Sequence, residues 1–333
     1  MVEKPNRVEW IDALKGYAIF CVTLGHLGCN FLLEKHIYSF HMFLFFFLSG
    51  FVDKTENISF KEYLLKRVKR ILIPFLSWNI LSNLVSLLMG KSVNEVIETS
   101  FLLNGEICWN APIWFLLTIF LTQVFYFILK RILKISDLII ISASLTLWMI
   151  IPQKNVIFKL NLIPMSMLFY VIGIFYKKKS QNIAHWIFAN KHLLLKYAII
   201  LIFAFINIYF GVLNNVRIVY TKAVFGNVIH TIIAGISGIF FYIMLFQNLG
   251  FLSKNSILNY LGKNSLFIMA SQFYFFNLYD YVANFNVHLY RNSAKAIFMC
   301  VVTIAFITLF LKALTYMRKR CKVIDKMAVL FGI

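Results

Sequence analysis

Charge is scarce in this chain, and acidic charge is the scarcest. Only 14% of its 333 residues are charged, whereas a soluble domain carries about 25%. The 33 Lys and Arg outnumber the 13 Asp and Glu, which gives a net charge of +20. The five cysteines include no CxxC pair, so we expect neither a disulfide nor a metal site. A chain with so little charge is not an ordinary soluble enzyme.

Sequence signatures of nucleotide- and metal-dependent enzymes are also missing. The chain has no GxGxxG after a strand, no GxxxxGK[ST] loop, no HExxH and no GxSxG. These absences argue against an ATPase, a nicotinamide enzyme or a zinc protease.

Apolar residues dominate what remains. They make up 61% of the chain, the mean hydropathy is +0.78, and Phe alone occurs 36 times. Because the apolar residues fall in long blocks, the sequence predicts a polytopic helical membrane protein. In such a protein a basic excess marks the cytoplasmic face rather than a nucleic-acid site.

The length of the apolar blocks predicts how often the chain crosses the membrane. A helix needs about 20 mainly apolar residues to cross roughly 30 Å of hydrocarbon. We therefore predict an all-α transmembrane bundle of about ten spans in a single domain, residues 1–333. The spans are expected near 11–32, 37–52, 70–90, 112–129, 137–152, 160–176, 193–213, 227–249, 256–280 and 295–316.

The basic residues test this count, because cytoplasmic loops carry an excess of Lys and Arg. With the N-terminus inside, 23 of them fall in inner segments and eight in outer segments. The outer eight are Lys35, Lys91, Lys154, Lys159, Arg217, Lys222, Arg291 and Lys295. This asymmetry favours ten spans with both termini cytoplasmic, with eight or twelve as the alternatives.

Ionisable residues inside the first two predicted spans are candidates for function, since such residues are rare in membranes. Lys15 and His26 lie eleven residues apart, about three helical turns or 16 Å, on one face. His41 in the second span begins at a depth similar to that of His26, so two imidazoles could meet in a cavity. The alternatives are structural: histidines that bond across helices, and an i,i+3 ion pair of Asp12 with Lys15.

A basic cluster opens the third predicted span. Arg67 and Arg70, three residues apart on a helix, are predicted to project toward one side. Guanidinium groups match phosphate oxygens well, so the pair could bind a phosphate. The alternative is an ordinary cytoplasmic anchor for the helix.

These residues lie in strings that resemble the membrane acyltransferase-3 family, which includes O-acetyltransferases of bacterial surface polysaccharides. The likeness is strongest in the first 75 residues and weaker over the rest of the chain. Lys15 and His26 match the family's Arg/Lys-x10-His pattern, and Arg67 and Arg70 match its Arg-x-x-Arg. The further matching elements are Phe40–Phe51, Trp114-Phe115-Leu116 and Gly262-Lys263-Asn264-Ser265-Leu266.

The chain departs from this family pattern at two positions. A histidine that follows the late element in many relatives is replaced by Gln272, and a proline of the second span by Phe43. The departure at Gln272 puts any role of that histidine in holding the acceptor in doubt.

The resemblance implies an O-acyltransferase of the bacterial cytoplasmic (inner) membrane. It would move an acyl group, expected to be acetyl, from cytoplasmic acyl-CoA to a hydroxyl of a cell-surface or lipid-linked saccharide. His26 would be catalytic, with His41 nearby and Lys15 as the basic partner, while Arg67 and Arg70 would contact the coenzyme A. The main alternative is a transporter or flippase for a lipid-linked saccharide, although the paired repeats typical of transporters are not evident.

Overall fold

The computed structural model describes residues 9–54, 58–101, 110–154, 156–188, 193–283 and 292–333. Within these ranges the chain is helical, and its β-structure is one isolated bridge between Val219 and Val224. The longer helices are α1 (Glu9–His26), α2 (Phe31–Phe51), α3 (Phe60–Leu88), α4 (Ala111–Ile132), α5 (Asp137–Ile150), α6 (Ile163–Phe188), α7 (Leu193–Leu213), α8 (Val228–Asn248), α9 (Ser256–Lys263), α10 (Ser265–Ala283), α11 (Ser293–Arg318) and α12 (Lys322–Leu330). Short helical turns cover Val93–Val96, Ile97–Phe101, Ile157–Leu162, Tyr220–Lys222 and Gly250–Ser253.

Seven of the described helices are long and apolar enough to cross a membrane: α2, α3, α4, α6 with its preceding turn, α7, α8 and α11. The three other predicted spans do not meet this criterion of length and apolar character, each for its own reason. α1 carries three charged residues, Glu9, Asp12 and Lys15, and α5 has only 14 residues. The ninth predicted span is divided at Asn264 into α9 and α10. The helical membrane architecture is confirmed, whereas ten crossings and cytoplasmic termini stay predictions. Arg291, one of the eight cations expected outside, lies outside the described residues.

The predicted boundary between the first two spans is wrong by about six residues. α1 ends at His26 rather than near residue 32, and α2 begins at Phe31 rather than near 37. Gly28 has a φ of +72°, which a glycine adopts without strain. The side chain of Asn30 then accepts a hydrogen bond from the amide of Leu33 at 2.9 Å and caps α2. These two residues turn the chain, so His26 lies at a helix end.

Two pairs of glycines bring helices into backbone contact. A Cβ at Gly16 of α1 or Gly262 of α9 would lie 1.9 or 1.8 Å from a carbonyl oxygen of the facing helix. Where α2 crosses α6, a Cβ at Gly50 or Gly173 would likewise lie 1.9 or 2.1 Å from a carbonyl oxygen of the facing helix. Only glycine permits such close approach, so the helices that carry His26 and His41 are each held against a neighbour.

The bundle has two ends that matter for function. At the His26 end, α1 passes into α2, and the loop 214–227 between α7 and α8 joins them through contacts with Tyr38. At the Asp53 end, α2 passes into α3, and Lys177 of α6 donates a 2.8 Å hydrogen bond to the carbonyl of Asp53. Packed aromatic rings fill the space between, including Phe43 stacked on Phe169 at 4.3 Å.

Candidate active site

A cavity of about 520 Å³ opens at the His26 end of the bundle. Side chains of α1, α2, α10, the start of α4 and the loop 214–227 line it. His26 and His41 both belong to this lining, and we call the space the histidine cavity. The structure thus brings the two predicted imidazoles to one cavity, while their catalytic roles stay predictions.

His41 is rigidly placed and its tautomer is defined. The residue is only 3% exposed, and its Nδ1 lies 2.6 Å from the carbonyl oxygen of Ile37. Because a carbonyl oxygen can only accept, Nδ1 carries the proton, and when the ring is neutral its lone pair lies on Nε2. The rings of Tyr38 and Tyr220 meet the imidazole edge-on at 5.1 and 5.7 Å. His41 is therefore held in place in the cavity wall, and its neutral form can accept a hydrogen bond at Nε2.

His26 occupies a more open position. It is the last residue of α1 and is half-buried. Its ring meets that of Phe273 on α10 edge-on, at 5.0 Å and 78°. An imidazole at a helix end beside a cavity can reach a bound molecule, as a general base must.

The loop 214–227 supplies a wall of the cavity that the sequence analysis missed. Tyr220 stacks on Trp114 of α4 at 5.9 Å and 15°, and its hydroxyl donates to the carbonyl of Tyr38 at 2.7 Å. Each of the two rings is 4% exposed, so the stacked pair closes this wall of the cavity. A signal was present in the sequence: Arg217 and Lys222, two of the few cations expected outside, lie five residues apart in this loop.

Arg217 is held in a defined geometry at the cavity. One of its terminal nitrogens pairs with Glu34 at 2.9 Å, and the other donates to the hydroxyl of Tyr38 at 2.8 Å. The guanidinium also lies over the Tyr38 ring, 4.4 Å from its centroid. A guanidinium has five N–H donors, so these two contacts do not use all of them.

The predicted phosphate-binding arginines lie at the opposite end of the bundle. Arg67 forms an ion pair with Asp53, whose side chain is 2% exposed, and lies over the ring of Tyr63 at 4.7 Å. Arg70 is exposed, and the π-helical turn Val68–Leu72 begins between the two arginines. Asp53 follows His41 by twelve residues, a separation of about 18 Å along a helix. The structure does not bring Arg67 and Arg70 together with the histidines.

Lys15 lies between these two regions. It is half-buried on α1, next to the crossing glycine Gly16 and about 16 Å from His26 along the helix. It is not among the described residues that line the histidine cavity. Its role as the basic partner of His26 stays a prediction.

Gln272, which stands in place of a family histidine, is fully buried on α10. Neither its amide nitrogen nor its amide oxygen has a hydrogen-bond partner. It is not among the described residues of the cavity lining.

Fold and cavity together define the class of the protein: a helical, multi-pass membrane protein with two histidines lining one cavity. The family model of the acyltransferase-3 acyltransferase domain matches residues 8–312, which is essentially the whole chain. The chain therefore belongs to the acyltransferase-3 family, and the resemblance seen in its sequence is confirmed. Comparison with curated proteins and with solved structures finds no significant match.

Proposed function

We propose that the protein is an O-acyltransferase that moves an acyl group, acetyl in the simplest case, from acyl-CoA to a saccharide hydroxyl in the histidine cavity. The observation that carries the proposal is that His26 and His41 both line one cavity of about 520 Å³. The family supports acyl transfer. The acceptor is a cell-surface or lipid-linked saccharide, and the location is the bacterial cytoplasmic membrane.

The chemistry follows from the two imidazoles. His26 takes the proton of the acceptor hydroxyl, and the oxygen attacks the thioester carbonyl carbon. The C–S bond breaks, and the departing thiolate of coenzyme A takes the proton back from the imidazolium. His41 Nε2 accepts a hydrogen bond from a second hydroxyl of the sugar and orients it. A two-step route, with the acyl group carried briefly on His26, uses the same residues and gives ping-pong kinetics.

The acyl donor enters from the Asp53 end. Arg67 and Arg70 bind the phosphates of coenzyme A there, on the cytoplasmic side. Packed aromatic rings fill the space between the two ends, so the pantetheine arm reaches the cavity only when the helices there part. The roughly 18 Å between His41 and Asp53 then separates the phosphates from the thioester.

Reconstitution tests this function. The purified protein is placed in proteoliposomes with labelled acetyl-CoA and isolated surface glycans, and ester formation on the glycan is measured. We expect label on the glycan, and no label when acetyl-CoA is supplied only at the His26 end. Translocation of a lipid-linked saccharide without acetyl-CoA, together with no ester on any glycan, would contradict the proposal and favour a flippase.

A further inference from the structure

A second cavity, of about 420 Å³, lies between α3, α10, α11 and α12, and we call it the apolar cavity. The described residues that line it carry no charge, and Trp78 of α3 and Phe267 of α10 form a deep wall, 5% and 4% exposed. Phe310 of α11 and Met327 of α12 also line it but are 48% and 52% exposed, so the cavity opens at the surface of the bundle. Because α3 and α11 are long and apolar enough to cross a membrane, this opening faces the lipid. Such a cavity suits a hydrocarbon chain.

α12 forms one wall of the apolar cavity and is held in place from both of its ends. Its Ala328 lines the cavity and is 5% exposed. Just after the helix, the carbonyl of Phe331 accepts a hydrogen bond from Nε1 of Trp78 at 3.2 Å. Near its start, Asp325 pairs with Nε of Arg318, the last residue of α11, at 2.8 Å. These contacts fix the apolar face of α12 against the bundle.

The segment that carries α12 is strongly basic. Residues 316–333 contain five cations and a single acid, Asp325, which is paired with Arg318. Lys322 and Lys326 are four residues apart and so lie on one face of α12, opposite Ile324 of the cavity lining. A helix with one apolar and one basic face lies in the interface between hydrocarbon and headgroups. The four remaining cations of the segment are all exposed: Lys319, Arg320, Lys322 and Lys326.

The length of α11 places this basic segment at one membrane face. The amide of Asn30 donates a 3.0 Å hydrogen bond to Oγ of Ser293, so α11 begins at the His26 end of the bundle. Its 26 residues span about 39 Å, more than the roughly 30 Å of hydrocarbon. α11 therefore carries the basic segment to the opposite end, at the level of lipid headgroups.

We propose that the apolar cavity and the basic segment together bind one anionic phospholipid. An acyl chain lies between α3, α10 and α11, and the phosphate lies at the cations of residues 319–326. Charge complementarity selects this occupant, because a zwitterionic lipid brings a compensating ammonium whereas an anionic lipid does not. Each Lys or Arg near an anionic lipid surface contributes about fivefold to binding. Long basic side chains reach the phosphate while their stems lie on apolar surface.

Lipid binding by the purified protein tests the inference. Equilibrium displacement of a fluorescent phosphatidylglycerol in detergent, at low and high salt, gives the affinity for each competitor. The competitors are dioleoyl phosphatidylglycerol, dioleoyl phosphatidylcholine, chain-free glycerophosphoglycerol and an isoprenyl diphosphate. One variant combines Lys322→Gln with Lys326→Gln, and another, Ala328→Phe, fills the cavity. Lys61→Gln with Lys254→Gln is the matched control, because it removes two exposed cations outside this segment.

We expect wild type to bind phosphatidylglycerol about tenfold more tightly than phosphatidylcholine, with a preference that shrinks in salt. The Lys322 and Lys326 variant should lower the affinity for phosphatidylglycerol about five- to twentyfold and leave that for phosphatidylcholine unchanged. Ala328→Phe should weaken both lipids equally, and the control should bind like wild type. Glycerophosphoglycerol should not compete, because it has no chain for the cavity.

Equal affinity of wild type for the two phospholipids would overturn the inference. An unchanged preference in the Lys322 and Lys326 variant would do the same, as would competition by glycerophosphoglycerol as strong as that by the intact lipid. Tighter binding of the isoprenyl diphosphate would also overturn it and would assign the cavity to a lipid-linked saccharide. Because Lys322 and Lys326 are exposed, their variant remains informative if Ala328→Phe unfolds the protein.

Discussion

Replacing Gly16 by alanine should separate α1 from α9. The added Cβ would lie 1.9 Å from the carbonyl oxygen of Leu258, whereas a carbon–oxygen contact needs about 3.3 Å. The helices must therefore move apart by roughly 1.4 Å, because backbone cannot rotate away as a side chain can. Overpacking of this kind costs about 1–3 kcal/mol, and a contact between two backbones falls at the upper end.

The intrinsic helix preference of alanine opposes this loss. It favours Ala over Gly by up to about 1 kcal/mol, so a net destabilisation of about 2 kcal/mol is expected. Melting is followed in detergent with a thiol-reactive dye, which reports unfolding when the buried Cys21, Cys29 and Cys300 become accessible. A fall in Tm of about 4 °C is expected, since about 2 °C accompanies each kcal/mol in a large chain.

Two further variants sharpen the test. Gly250→Ala is the control, because its Cβ would meet nothing within 4 Å. Gly16→Ala combined with Gly262→Ala should cost less than the sum of the single changes, since the first already parts the helices. A Gly16→Ala protein that melts like wild type, or strict additivity in the double variant, would refute the reasoning.

Two other predictions concern the ends of the bundle. Arg67→Ala should weaken acetyl-CoA binding and also destabilise the fold by about 3–5 kcal/mol, because it leaves the buried Asp53 without its cation. Arg70→Ala should weaken acetyl-CoA binding without destabilising the fold. Titration with acetyl-CoA and thermal melting separate these effects, and equal melting of both variants would contradict the account. Tyr220→Phe removes the 2.7 Å hydrogen bond to Tyr38, so stability should fall by about 1 kcal/mol and KM for the acceptor should rise more than kcat falls. An unchanged KM in steady-state kinetics would disprove a role for this loop.

Much of the helical architecture is predictable from the sequence, because long apolar blocks have few alternatives in a membrane. The exceptions have local causes. Gly28 and Asn30 turn the chain earlier than hydropathy indicates, and the boundary at Asn264 divides an apolar block into two helices. Hydropathy averages over a window and does not register such single-residue breaks.

The candidate site was predictable in part. His26 and His41 lie in consecutive helices, so their common level follows from helix geometry alone. Arg217 reaches the cavity through a loop that begins almost 190 residues after His26, and its partners Glu34 and Tyr38 are equally distant in sequence. Contacts of that range depend on tertiary packing, which hydrophobic patterns do not specify.

Acyl transfer by variants of the cavity histidine tests the central claim most directly. Transfer of labelled acetyl from acetyl-CoA to saccharide is measured for wild type, His26→Ala and His230→Ala. His230 lies at the start of α8, outside the cavity lining of the described residues, and serves as the matched histidine control. The account predicts a loss of about 10²- to 10⁴-fold in kcat for His26→Ala, the range for a lost general base, and little change for His230→Ala. Transfer by a folded His26→Ala protein at the wild-type rate would contradict it.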